Sequence, residues 1–221
     1  MLTKKIIKSS LIIGAVIGST PLFALNFNQG SLQVWGGFGY GHNNIAKPVV
    51  SSIGIKRSHL AGGAGINYLM PIGNQVSAGL GISFLKAPDT TLNYADFRYT
   101  YTSNIIPLEV VGLYKLNSNW SFSGDAGLAY AHQDLNLTMI NDIPSKPVLT
   151  SGSKNAWKPI VGVGIHFTVA SNFDLGVTYK YMLGSKPQAF QQNTTQGIDS
   201  SLYRKIASQG YLLATIGYTF S

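Results

Sequence analysis

Six titratable side chains stand at positions where strand spacing would bring them together: Glu109, Asp125, Lys158, His166, Asp174 and Lys180. Their chemistry has two readings. Carboxylates held close together can share a proton and act as general acid and base. The same carboxylates, interleaved with lysines and a histidine, can form a buried ion network in which each charge is paired. The other histidines, His42, His59 and His132, lack a spaced partner set for zinc. The chain contains no Cys, which excludes a thiolate metal site, a disulfide framework and a lipid-modified N-terminal Cys. No Ser-centred nucleophile elbow or Gly-rich phosphate loop lies at a strand–helix junction. No metal or other cofactor is expected. Which reading holds depends on the elements that carry the six residues.

The 221 residues are 45% hydrophobic and only 11% charged, with 25 Gly and a net charge of +8. Such charge depletion excludes an intrinsically disordered chain. Met1 to Ala24 has the three-part form of a cleaved secretory signal peptide. Lys4, Lys5 and Lys8 precede an apolar run from Leu11 to Gly18, then Pro21 and a small residue, Ala24, at the cut. The run is too short for a bilayer-spanning helix, which needs about 20 residues. Residues 25–221 are then a single domain.

That domain alternates with period two. Val76, Ala78, Leu80, Ile82 and Phe84 are separated by Ser77, Gly79, Gly81 and Ser83, which is a strand with one apolar face. Eight such strands are predicted, at Ser31–Tyr40, His59–Met70, Gln75–Leu85, Tyr99–Leu116, Trp120–Ala131, Trp157–Val169, Phe173–Leu183 and Gly210–Phe220. Short turns at 71–74, 117–119 and 170–172 alternate with long links at 42–58, 86–98, 132–156 and 185–208, read as exposed loops rich in Pro, Asn, Gln, Thr and Lys. The pattern is an up-and-down antiparallel meander with one plain end and one elaborate end.

Alternation suits a soluble barrel with its apolar face inside, such as a lipocalin-like carrier, or a membrane barrel with that face outside. Three features choose the membrane barrel. Apolar-face aromatics gather at both strand ends: Tyr68, Tyr114, Trp120, Phe167, Phe173, Tyr218 and Phe220 toward the short turns, Phe38, Tyr40, Phe84, Tyr130, Trp157 and Tyr181 toward the long links. Two aromatic belts around an aliphatic middle match two lipid–water interfaces. The opposite face is rich in glycine (Gly37, Gly63, Gly81, Gly127, Gly162, Gly176), which suits a crowded lumen better than an exposed strand surface. A strand of about 10 residues, tilted near 45°, spans about 23 Å, the height of an outer-membrane apolar band. The expected fold is therefore all-β, an eight-stranded antiparallel up-and-down transmembrane β-barrel.

The six titratable residues then face the lumen. Simple hairpin geometry sets His166 opposite Asp174 and Glu109 near Asp125, with Lys158 or Lys180 as the balancing cation. An eight-stranded lumen is filled by side chains and hardly admits a substrate, so the ion network is preferred to a catalytic dyad.

The eight-strand meander, the strand Ile106-Pro107-Leu108-Glu109-Val110-Val111-Gly112-Leu113-Tyr114 and the terminal Tyr218-Thr219-Phe220 together resemble the small outer-membrane barrels of the OmpA and OmpW type. Two positions depart from that pattern. Ser221 follows the terminal aromatic, and Thr215 stands where the assembly signal often has Gly. The resemblance covers the barrel alone, with no peptidoglycan-binding domain. It implies a Gram-negative cell envelope, insertion into the outer membrane by the barrel-assembly machinery, and long loops outside.

The long links hold most of the positive charge, notably Lys47, Lys56, Arg57, Lys186, Arg204 and Lys205. Such residues would attract the phosphates of lipopolysaccharide. Outer-membrane lipid and host or surface ligands are the expected partners, and nucleic-acid binding has no other support. The leading function is a structural or surface-interaction protein. The alternative is a narrow OmpW-like channel for small or apolar solutes, and a lipid-modifying enzyme ranks last.

Overall fold

In a computed structural model of the chain, the described residues are 30–43, 54–57, 59–87, 89–94, 97–139, 148–185 and 205–220. The leader expected at residues 1–24 lies outside them. Ten strands follow in order among the described residues: β1 Ser31–Asn43, β2 Gly54–Arg57, β3 Leu60–Pro71, β4 Val76–Lys86, β5 Thr90–Tyr94, β6 Phe97–Lys115, β7 Trp120–Met139, β8 Val148–Ala170, β9 Phe173–Met182 and β10 Gln209–Phe220.

Eight of these, all but β2 and β5, close into an antiparallel barrel in which each strand pairs with the next. Closure comes from β1 on β10, in register from Leu32↔Phe220 to Asn43↔Gln209. Every wall strand thus has a partner on each side, which a chain in hydrocarbon requires because no water is there to satisfy its backbone. The plain-end turns follow from local chemistry. Asn117 Oδ1 accepts hydrogen bonds from the backbone N–H of Asn119 (2.9 Å) and Trp120 (2.8 Å), an Asx turn that reverses β6 into β7.

The apolar face points outward. Leu80 is 68% exposed and Val163 62%, at mid-wall, although both are aliphatic. Aromatic pairs mark the two rims: Trp120 with Phe167 (4.9 Å) and Tyr218 with Phe220 (4.7 Å) at the turn end, and Tyr130 with Trp157 (5.4 Å) at the other. A water-soluble protein does not present such a belt; lipid makes it stable.

Three links expected to be loops contain strand instead. Within 86–98, Thr90–Tyr94 forms β5, paired with the first residues of β6 from Thr90↔Tyr101 to Tyr94↔Phe97. Within 132–156, β7 and β8 remain paired up to Thr138↔Val148. Short Thr-, Tyr- and Leu-containing runs prefer a pleated surface once a neighbouring strand offers an edge. In the 42–58 link, β2 adds to β5. The register of β8 on β9 also differs from expectation. Ala170 pairs with Phe173 across a tighter turn, and a bulge lies between Thr168 and Ala170. Phe167 therefore pairs with Leu175, and His166 with Gly176.

Candidate functional site

Inward-facing side chains fill the lumen in two layers. The lower layer, nearer the turn end, is charged. Glu109 on β6 and Lys180 on β9 lie on opposite sides of the barrel, and the Lys180 ammonium donates to both Glu109 carboxylate oxygens at 2.7 Å. The same Nζ is 2.9 Å from Asp125 Oδ1 on β7. All three side chains are about 95% buried or more. Glycines make the room: Glu109 is flanked in register by Gly81 and Gly127, and Lys180 by Gly162. At Gly162 the need is steric, because a Cβ there would lie 2.7 Å from Asp125 Oδ2.

Among the described residues, Lys180 alone is the balancing cation. Lys158 lies in a lumen register opposite Ala129 but is half-buried and makes no ion pair there. His166 does not face Asp174. The tighter β8–β9 turn sets His166 opposite Gly176, and Asp174 opposite Thr168, whose hydroxyl donates to Asp174 Oδ1 at 2.6 Å. His166 Nε2 instead lies 2.8 Å from Ser123 Oγ on β7. Glu109 and Asp125 are diagonal neighbours, since Asp125 pairs with Val111. Their meeting point is the ammonium that reaches across the lumen.

A cavity of about 40 Å³ adjoins this layer, lined in part by Trp35, Asn67, Asp125, His166 and Thr178. That volume holds about one to three waters. Ser123 and His166 are hydrogen-bonded neighbours in the lining of this space.

The upper layer is an apolar seal with an amide network, in a region where strand alternation predicts no such contact. Leu85, Ile105, Ile160, Met182, Tyr211 and Leu213 are fully buried there. The segment 205–208 folds down onto them, and Ile206 and Ala207 are buried as deeply. Gln133 holds this segment. Its side-chain N–H donates to the Lys205 carbonyl at 3.1 Å, and its Oε1 accepts from the Ala207 N–H at 3.3 Å and from the Tyr101 hydroxyl. Gln209 extends the network, donating to Ser103 Oγ at 2.7 Å and accepting from the Tyr211 hydroxyl at 2.5 Å. Two buried glutamines at lumen parity, and an Ile-Ala pair inside a polar link, were the available signals.

Of the basic link residues, Lys47, Lys186 and Arg204 fall outside the described residues. Lys56 and Arg57 lie on β2, paired with Thr91 and Thr90. Lys205 is exposed at the barrel mouth.

Three solved structures show the company the fold keeps. A major outer membrane protein from Thermus thermophilus aligns with 86% of this chain and 99% of its own, at 14% identity and a TM-score of 0.54. OprG from Pseudomonas aeruginosa aligns over 87% and 96%, at 11% identity and a TM-score of 0.48. Ail, the attachment invasion locus protein of Yersinia pestis, aligns over 87% and 99%, at 15% identity and a TM-score of 0.47. At these identities the likeness is one of fold. Comparison with curated proteins finds no match. The model of the outer membrane protein beta-barrel domain matches residues 12–220, and with the closed wall and its lipid-facing belt already in view, the chain belongs to that family of bacterial outer-membrane proteins.

Proposed function

We propose that the protein acts as a plugged wall element whose work is done outside the membrane, in surface interaction or in structural support of the envelope, without an enzymatic step. The observation that carries this reading is the closed lumen. The Glu109–Lys180–Asp125 cluster crosses its lower half, and Gln133 pins residues 205–208 over its upper half. A through-path for solutes would have to break both layers. The cavity beside the charges is water-sized, which argues equally against a substrate site.

Strand length supports the outward role. A tilted transmembrane strand needs about 9–11 residues. β6, β7 and β8 have 19, 20 and 23. Their surplus rises on the loop side of the Tyr130–Trp157 girdle and carries β5 and β2 with it. Eight crossings return both ends of the barrel to one side, the periplasm, so this raised sheet and the long links face the exterior. Single-channel recording of the refolded protein tests the reading. Silence or brief flicker is expected, and a steady conductance altered by Glu109→Ala would replace it with the narrow-channel alternative.

A further inference from the structure

On the outer surface of the wall, a polar row lies directly above the loop-end girdle. Strand register fixes it: Lys86 on β4 pairs with Asn104 on β6, Asn104 with His132 on β7, and His132 with Asn155 on β8. Two residues lower on the same face, Ile106 pairs with Tyr130 and Tyr130 with Trp157, and Phe84 precedes Lys86 by the same interval. The row spans three strand spacings, about 14 Å. Lys86 is exposed and has no ion-pair partner among the described residues. The His132 ring is fixed from both sides, with Nδ1 2.5 Å from Asn155 Oδ1 and Nε2 3.2 Å from Asp134 Oδ2.

A lysine on the lipid-facing side of a barrel is costly at mid-membrane and nearly free at the interface. Lys86 sits at the second of these depths, one pleat beyond the aromatic belt. There it is a cation with amide donors beside it and acyl-compatible surface below.

We propose that Lys86, Asn104, His132 and Asn155 form a binding row for the phosphorylated sugar headgroup of an outer-leaflet glycolipid, whose acyl chains lie along Phe84, Ile106, Tyr130 and Trp157. The ammonium and the amide N–H groups supply the donors that phosphate and sugar oxygens accept. Among the described residues, both nearby carboxylates, Asp134 at 3.2 Å from His132 Nε2 and Asp89 three residues past Lys86, lie on the loop side of the row, away from the acyl surface. The glycolipid source rests on the orientation proposed above; a C-terminal tag labelled on intact cells would reverse that orientation separately from this test. The row is distinct from the basic link residues, since it belongs to the rigid wall.

The test uses the full mature chain refolded in phosphatidylcholine nanodiscs containing one-tenth diphosphoryl lipid A, dephosphorylated lipid A or phosphatidylglycerol, with co-purifying lipid counted by native mass spectrometry. Diphosphoryl lipid A should be retained about 10-fold over its dephosphorylated form, and Lys86→Gln should remove most of that preference, as loss of one charge-assisted hydrogen bond would. Lys86→Arg should keep it. Asn155→Ala provides a second variant should the first fail to show the heat-dependent gel shift of a folded barrel. Equal retention of the two lipid A forms, or unchanged retention in both row variants, overturns the proposal. Equal retention of phosphatidylglycerol overturns the glycolipid assignment, and so does displacement by equimolar inorganic phosphate.

Discussion

Lys180 touches two buried carboxylates, so the cluster is short of positive charge, and its members should differ sharply in what their removal costs. Lys180→Met takes away the cationic partner of both Glu109 and Asp125 and leaves two carboxylates facing each other in a lumen where they are about 95% buried or more. Removing one partner of a buried pair costs about 3–5 kcal/mol. The adjoining 40 Å³ cavity lets in a little water, so the lower part of that range, about 3 kcal/mol, is expected. Glu109→Gln acts differently. It leaves one ammonium against one carboxylate, and the amide still accepts from Lys180, so the loss should be about 1 kcal/mol or less. The triple variant Lys180→Met, Glu109→Gln, Asp125→Asn removes every charge and should recover about 2 kcal/mol over Lys180→Met alone. Urea titration of the refolded barrel in lipid vesicles, followed by the fluorescence of its three Trp, gives the ordering. Glu109→Gln as damaging as Lys180→Met, or a triple variant no better than the single one, would refute the charge-counting argument.

Other expectations follow from the same wall. Leu80→Arg or Val163→Arg puts a charge into mid-membrane lipid and should cost about 2–4 kcal/mol in the same titration. Gly162→Val drives a side chain into the Asp125 carboxylate and should cost about 1–3 kcal/mol. Valine at Gly73, where a Cβ meets nothing within 4 Å, should change stability by under about 0.5 kcal/mol. Unboiled refolded protein should run apart from boiled protein on a gel, and identical migration would contradict a closed barrel. Protease added to intact cells should cut within the Lys146 link and spare a tag placed after Ser221.

Period-two alternation made the wall legible because it reports one physical constraint, a pleated strand between lipid and lumen. Residues such as Leu80 and Gly81 state their faces without any tertiary information. Hairpin registers were less legible. A three-residue turn at 170–172 and a two-residue turn with a bulge have nearly the same composition, yet they exchange the partner of His166 from Asp174 to Gly176. The protruding β5 and the upper halves of β7 and β8 carry a loop-like composition, because Asn, Thr, Ser and Lys dilute their apolar pattern once lipid no longer demands it.

Cross-lumen contacts were the least legible. Glu109 and Lys180 are 71 positions apart and their strands never pair; what joins them is the stagger of the strands around the barrel, a global quantity that no single hairpin encodes. The same stagger brings Gln133 under residues 205–208, on the far side of a link whose composition suggested only solvent. A narrow barrel makes such meetings unavoidable. Its lumen is one or two side chains wide, so any long inward residue must reach an opposite strand. Lysine, glutamate and glutamine are long enough to do so and polar enough to need a partner there. The positions that seal this barrel are therefore the long polar residues at lumen parity, and their partners are set by strand stagger rather than by sequence distance.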